Sequence, residues 1–262
     1  MQYAIINEAR SQAFQGGKAS CPTCGEDVIA KCGSRIVHHW AHKGRINCDA
    51  WSENETPWHR AWKSYYPEEC CEVSHTALDG EIHRADIKTP SGIYIEVQHS
   101  PMSDEERISR EEFYKNLVWV IDGSTFGKNF EIHHALPNPK SKIADDLTWY
   151  PAGKGLNGSN NGMFYRASEN EEGATMVLIH PLSDIKNEVN AHYSGHHQYV
   201  WTRPRKTWLD AKCPVYIDFG DTYLARLESY DDRGLPCIKL IDKKLFIQES
   251  LVKDNVQDLV DY

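Results

Sequence analysis

The first fifty residues carry no sustained apolar periodicity, yet they crowd Cys21, Cys24, Cys32 and Cys48 around His38, His39 and His42. A segment so short and so poor in large apolar side chains has to be held by something other than a hydrophobic core. Cys21-Pro-Thr-Cys24-Gly25 has the spacing of a zinc knuckle: two thiolates two residues apart, then a glycine that permits the turn bringing backbone amides to the sulfurs. His39, His42 and Cys48 follow within the distance over which a small zinc fold closes. The expected site is a tetrahedron of three thiolates and one imidazole, or of two thiolates and two imidazoles. Four protein ligands make Zn²⁺ structural, because a hydrolytic zinc keeps one position open for water. Chemistry is therefore expected elsewhere in the chain.

The other cysteines fit that assignment. Eight cysteines in 262 residues, behind an opening Met-Gln-Tyr-Ala-Ile-Ile-Asn-Glu without the basic and apolar regions of an export signal, point to metal binding and burial rather than disulfides. Adjacent Cys70 and Cys71 read as core, and Cys213 and Cys237 lie far from the crowded segment. No apolar run approaches the ~18 residues needed to span a membrane, so the expectation is a cytoplasmic protein with no membrane partner. With 29 Lys and Arg against 38 Asp and Glu, the formal charge is −9, which excludes coating nucleic acid through bulk charge.

Beyond residue 50 the pattern becomes α/β. Trp58, Trp62, Tyr65 and Tyr66 recur at helical spacing, with Thr56-Pro57 as N-cap and first-turn proline and Pro67 as the stop. Glu81–Lys88 and Ile93–Gln98 read as strands. Ser103 and Glu106 form a capping-box signature for a helix to about Asn116, and Leu117–Ile121 is a short buried strand. After Pro137-Asn138-Pro139 the composition shifts. Gly153–Gly162 reads as a flexible loop or link, and strands are expected at Thr175–Ile179, Val215–Phe219, Tyr223–Leu227 and Ile238–Ile241, with a turn at Asp231–Gly234.

The segment from Gly80 to Gln98 allows a register to be worked out. Pro90-Ser91-Gly92 suits a three-residue loop, a type I turn followed by glycine in the left-handed conformation. Thr89 then pairs with Ile93, and counting outward sets Asp86 directly opposite Glu96. Opposed residues share a sheet face with Cβ atoms ~5 Å apart, so two carboxylates there repel unless something lies between them. Hard oxygen donors at that spacing suit Mg²⁺ or Mn²⁺. Gln98 continues the face opposite Arg84. Glu55 and His59 lie four residues apart, on one face if the helix runs back past Pro57, and Lys63 is one turn beyond His59. An exposed hairpin edge decorated with charges is the plainer alternative.

Taken together, Cys21-Pro-Thr-Cys24, Val28-Ile-Ala-Lys-Cys-Gly33, His39-Trp-Ala-His42, Trp58-His59-Arg-Ala-Trp62-Lys63, Ala85-Asp86, Ile95-Glu96-Val-Gln98-His-Ser100 and Phe113-Tyr114-Lys115 resemble the competence protein CoiA-like family. That family is a branch of the PD-(D/E)xK nuclease superfamily, and the resemblance covers roughly the first half of the chain. It implies an α/β fold with a restriction-endonuclease-like core, a mixed sheet flanked by helices. The expected division is a zinc-ribbon-like module at 1–50, the nuclease core at 51–136 and a β-rich C-terminal region at 137–262. In the superfamily the first strand supplies a metal-binding Asp and the second a Glu followed two residues later by Lys. Asp86 and Glu96 match the first two, and Gln98 stands at the Lys position, a variant the resembling branch shares.

The activity implied is metal-dependent hydrolysis of DNA phosphodiester bonds, in competence-like DNA processing or in defence against foreign DNA, with protein partners in either setting. Asp86 and Glu96 would hold Mg²⁺ or Mn²⁺, and Gln98 would orient water, since an amide cannot take a proton at neutral pH. Glu55 would add a carboxylate, and Lys63, Arg84 or Lys88 would steady phosphate. His59, His83 and His99 are candidate proton handlers. Trp201-Thr-Arg203-Pro-Arg205-Lys206-Thr-Trp208 interleaves cations with aromatics, as a nucleic-acid-binding segment does, although a surface strand or loop has the same composition. Two other readings stand beside this one: a DNA-binding or scaffold protein that keeps the nuclease fold without catalysis, and a zinc-dependent partner-binding module joined to an unrelated domain.

Overall fold

In the computed structural model the described residues are all except 45–47, 50, 52–54, 79, 156–157, 172–175 and 261–262. The chain forms two units, one comprising Met1–Ile121, Ala211–Pro214 and Phe246–Tyr262, the other Asp122–Asp210 and Val215–Leu245. Residues 1–50 therefore share a unit with the segment that follows them.

The Cys/His-rich N-terminus is a five-stranded antiparallel sheet of β1 (Tyr3–Ile6), β2 (Ala9–Gln12), β3 (Lys18–Ser20), β4 (Asp27–Lys31) and β5 (His39–His42), in the order β2-β1-β3-β4-β5. Its core is minute: Ala4, Cys21, Val28 and Trp40. Trp40 supplies most of that apolar volume, and its indole N–H donates to the Ser11 carbonyl at 2.8 Å. Gly17 is required here, because a Cβ at that position would stand 2.8 Å from the Trp40 ring.

Helix α1 (Pro57–Lys63) starts where the sequence indicates, with the Thr56 hydroxyl accepting the His59 N–H and Pro57 in the first turn. It ends three residues earlier than the aromatic spacing suggests. Tyr65 and Tyr66 donate to Trp62 and Lys63 in i→i−3 bonds that tighten the last turn. Glu55 thus lies outside the helix. Strands β6 (Cys71–Thr76), β7 (Ile82–Lys88), β8 (Tyr94–Gln98) and β9 (Leu117–Asp122) follow, with β6-β7-β8 antiparallel and β8-β9 parallel. Helix α2 (Asp104–Tyr114) makes the crossover that a parallel pair requires, and Ser103 caps it by accepting the Glu106 N–H. Cys70 and Cys71 are buried, as read from the sequence. Every residue of β8 is buried, which removes the exposed-hairpin alternative. The last segment of this unit returns to α1: Phe246 meets Trp62 edge to face at 6.3 Å, and Ser250 Oγ lies 3.0 Å from the Tyr66 hydroxyl.

The second unit contains β10 (Phe130–Pro137), α3 (Lys142–Asp146), β11 (Leu147–Trp149), β12 (Lys154–Gly155), β13 (Gly158–Ser159), β14 (Met163–Arg166), β15 (His180–Pro181), α4 (Lys186–Ala191), β16 (Tyr193–Trp201), α5 (Lys206–Leu209), β17 (Val215–Asp218), β18 (Tyr223–Ser229) and β19 (Pro236–Asp242). Five of these strands form an antiparallel sheet in the order β10-β16-β19-β18-β17, and β11-β14-β15 form a small second one. The core between them includes Leu136, Trp149, Phe164 and Cys237.

Three expectations change here. The expected loop at Gly153–Gly162 contains a tight hairpin, with Lys154 paired to Ser159 and Gly155 to Gly158. The expected strand Thr175–Ile179 is absent among its described residues, Thr175 lying outside them. Met176, Leu178 and Ile179 are exposed with no apolar face to meet, and only His180–Pro181 pairs with β14. Trp201 and Trp208 are core residues and offer no stacking face. Arg205 lies over the Phe126 ring and donates to Thr125, leaving Arg203 and Lys206 exposed.

Candidate functional site

The N-terminal sheet gathers Cys21, Cys24, His42 and Cys48 so that their ligand atoms all lie within 4.8 Å of one another. Cys21 Sγ is 3.8 Å from Cys48 Sγ, and Cys24 Sγ is 3.2 Å from His42 Nε2. The knuckle is built by the turn itself. Gly25 takes a φ of +76°, its N–H returns to the Cys21 carbonyl, and the Thr23 N–H points at the Cys21 sulfur. Three sulfurs and one imidazole form a donor set that suits structural Zn²⁺. His39 is excluded, its Nδ1 lying 2.8 Å from the Val37 carbonyl oxygen. The reason is strand geometry: His39 and His42 are three residues apart on β5 and so point to opposite faces.

The predicted register of the β7–β8 hairpin holds. Ile87 pairs with Ile95, Lys88 with Tyr94, the Thr89 N–H reaches the Ile93 carbonyl, and Gly92 has a φ of +93°. Past Ile87 and Ile95 the carboxylates cross between the strands. The Asp86 N–H donates to Glu96 Oε1 at 3.3 Å, and the Val97 N–H donates to Asp86 Oδ2 at 3.0 Å. Among the described residues no group donates to the other Asp86 oxygen, while Glu96 Oε2 accepts from Arg110 Nη1 at 2.7 Å. Burial and the adjacent Asp86 charge push the Glu96 carboxyl up to about 8, against the pull of Arg110.

These groups line a cleft together with Trp51, Glu55, His59, Lys63, Glu72, Arg84 and Gln98. Lys63 sits in it almost fully buried, its ammonium 2.8 Å from Glu55 Oε2 and 2.9 Å from Glu72 Oε1. Burial opposes that charge, but the Glu72, Asp86 and Glu55 carboxylates override it and hold the ammonium above its ordinary range. Glu72 is depressed well below the usual carboxylate range despite its burial, chiefly by Lys63 and Arg84. His59 is fixed by its cap, Nδ1 standing 2.8 Å from the Thr56 hydroxyl. The Gln98 amide donates to the Ser100 carbonyl at 3.0 Å.

The fold thus brings Glu55, His59, Lys63, Arg84, Asp86, Glu96 and Gln98 to one place from three stretches of sequence. It sends other candidates elsewhere. Lys88 lies over the Tyr94 ring, and His83 is held between Asp49 and Glu81 at 2.9 and 2.8 Å. His99 is half-buried beside His59 and Trp58. Glu72, Arg110, Asp49 and Trp51 were not singled out by sequence reasoning. For Arg110 a signal existed: Arg107, Arg110, Glu111 and Tyr114 make the buried face of α2, so a charged stripe stands where an apolar one is usual. For Glu72 there was none, since Gln2 and Tyr3, whose N–H groups it accepts, lie about 70 residues away.

No helix among the described residues is long and apolar enough to cross a membrane. No curated protein and no solved structure matches the chain. Residues 6–51, which carry the Cys21, Cys24, His42 and Cys48 cluster, match the family model of the competence protein CoiA N-terminal domain.

Proposed function

We propose that the first unit is a metal-dependent DNA nuclease that hydrolyses phosphodiester bonds, acting in competence-like DNA processing or in defence against foreign DNA. The observation that carries this reading is the convergence of Asp86, Glu96, Gln98, Glu55, His59 and Lys63 on one cleft. The donor set fits Mg²⁺ or Mn²⁺: two carboxylates cross on adjacent strands, Asp86 has an oxygen with no donor among the described residues, and burial beside the Asp86 charge makes Glu96 resist ionisation against the pull of Arg110. Asp86 and Glu96 would hold the ion, which when bound supplies a water of lowered pKa and neutralises charge on the leaving oxygen.

The chain's own groups do the rest. Gln98 orients water without accepting its proton. Lys63, kept cationic by Glu55 and Glu72, and Arg84 draw phosphate into the cleft. His59, whose ring is set by the Thr56 hydroxyl, is the cleft's candidate proton handler. The CoiA N-terminal domain at residues 6–51 favours the competence setting.

A second reading, a DNA-binding or scaffold protein without catalysis, is favoured by two features. Gln98 cannot act as a base, and Glu55, Glu72 and Glu96 are already engaged in ion pairs with Lys63 and Arg110. The test is incubation of wild type and Asp86→Ala with linear, circular and single-stranded DNA in EDTA, Mg²⁺ or Mn²⁺, with products read on a gel. Metal-dependent cutting by wild type alone supports the nuclease. No cutting by either protein, with both shifting DNA in a binding assay, supports the scaffold.

A further inference from the structure

The Cys/His cluster and the acidic cleft are joined by two separate sets of bonds. The first begins at Cys48 of the Cys/His cluster. Its neighbour Asp49 is buried, and its carboxylate accepts from three groups: the Trp51 N–H at 3.1 Å, His83 Nδ1 at 2.9 Å and the backbone N–H of Arg84 at 3.1 Å. Arg84 lies on β7 two residues before Asp86, so this carboxylate stands in for a strand partner at the approach to the cleft. Trp51 extends the connection. Its ring stacks on His83 with centroids 3.2 Å apart, and its carbonyl accepts from Arg110 Nη2 at 2.7 Å, the same guanidinium that holds Glu96.

The second set begins at β1, the central neighbour of β2 and β3 in the N-terminal sheet. The Gln2 N–H donates to both Glu72 oxygens at 2.8 and 2.9 Å, and the Tyr3 N–H donates to one of them at 3.1 Å. The same carboxylate receives Lys63, which reaches on to Glu55. Glu72 holds this position with a φ of +51°, a left-handed conformation that strains a non-glycine residue and persists only where surrounding bonds enforce it.

We propose that Asp49 and Glu72 are positioning residues that couple the Cys/His module to the cleft, so that metal in the Cys21, Cys24, His42 and Cys48 cluster sets the placement of Glu96, Asp86 and Lys63. The small core around Trp40 cannot hold β1 and Cys48 in register unaided, and closing the four ligands does so. Loss of that metal then disorganises a site whose own residues are all intact. The coupling stands apart from the nuclease reading; its consequence for metal-dependent cutting rests on it.

The experiment is hydrogen exchange, read by mass spectrometry on the full chain of wild type, Asp49→Asn and Cys24→Ser, with zinc content measured alongside. Asp49→Asn is expected to keep its zinc while amides in residues 82–98 exchange at least roughly ten-fold faster and those in residues 215–242 do not change. The Mn²⁺ concentration giving half-maximal cutting should rise about ten-fold, a shift that a smaller folded fraction would not produce. Cys24→Ser, with every cleft residue native, should lose zinc and show the same acceleration over 82–98. Exchange over 82–98 that stays at the wild-type rate in zinc-loaded Asp49→Asn, or in zinc-free Cys24→Ser, overturns the proposal. Exchange is read without DNA or Mn²⁺, so a wild type that cuts nothing refutes the nuclease reading while the exchange rates still decide the coupling.

Discussion

Replacing Glu72 by glutamine keeps the side chain's size and removes its charge. The carboxylate accepts the Gln2 and Tyr3 N–H groups and the Lys63 ammonium. In Glu72→Gln one oxygen becomes an NH₂. If it replaces Oε2 it faces the Tyr3 N–H, and if it replaces Oε1 it faces Lys63, so donor meets donor in either flip. Lys63 is left with Glu55 alone in a buried setting. Breaking a buried ion pair from one side costs about 3–5 kcal/mol, and at roughly 2–4 °C per kcal/mol for a domain of this size the Tm should fall by about 6–20 °C. Calorimetry on both proteins across pH gives a second check. The native-state pKa of Glu72 lies below its ordinary value of 4.5, so its contribution is complete above about pH 4.5 and is lost as pH falls through the lower native value. Glutamine has no such titration, so the gap between the proteins should close on acidification. A fall of less than about 3 °C at neutral pH, or a gap that does not narrow from about pH 5 downward, would refute the reasoning.

Two further outcomes follow from the sites. Purified wild type and His39→Ala should each carry one zinc per chain by elemental analysis, and His42→Ala should bind it far more weakly, because His42 and not His39 faces the cysteines. Thr56→Ala should cost about 1 kcal/mol through the lost N-cap. By removing the contact at His59 Nδ1 it should also move the His59 imidazole resonances in NMR spectra, whereas a mutation that affected only helix stability would leave them in place.

Local chemistry made the hairpin legible. Pro90-Ser91-Gly92 admits one loop geometry, and that loop alone fixes Asp86 against Glu96. Ser103 and the Thr56-Pro57 pair were readable for the same reason, since a cap is satisfied within three residues. His42 was not separable from His39, because both sit at plausible spacing and only the direction of β5 chooses between them. Glu72 and Asp49 were out of reach for a different reason. A buried charge is permitted by its partners, and those partners here lie far off in sequence, as Gln2 does from Glu72. The tryptophans of Trp201–Trp208 show the converse, a local pattern that resembles a binding segment but whose rings close a core.

The first unit is completed by residues 246–260, with Phe246 against Trp62 and Ser250 on the Tyr66 hydroxyl. Protein synthesis is vectorial, so α1 and its aromatic side chains leave the ribosome well before the residues that cover them. At roughly 5–20 residues per second, the wait from residue 121 to residue 246 is on the order of 6–25 s. During it the nascent chain carries a metal module able to close early and a cleft domain with an unsealed flank. A chain interrupted anywhere in the second unit therefore lacks the contacts that Phe246 and Ser250 make with Trp62 and Tyr66.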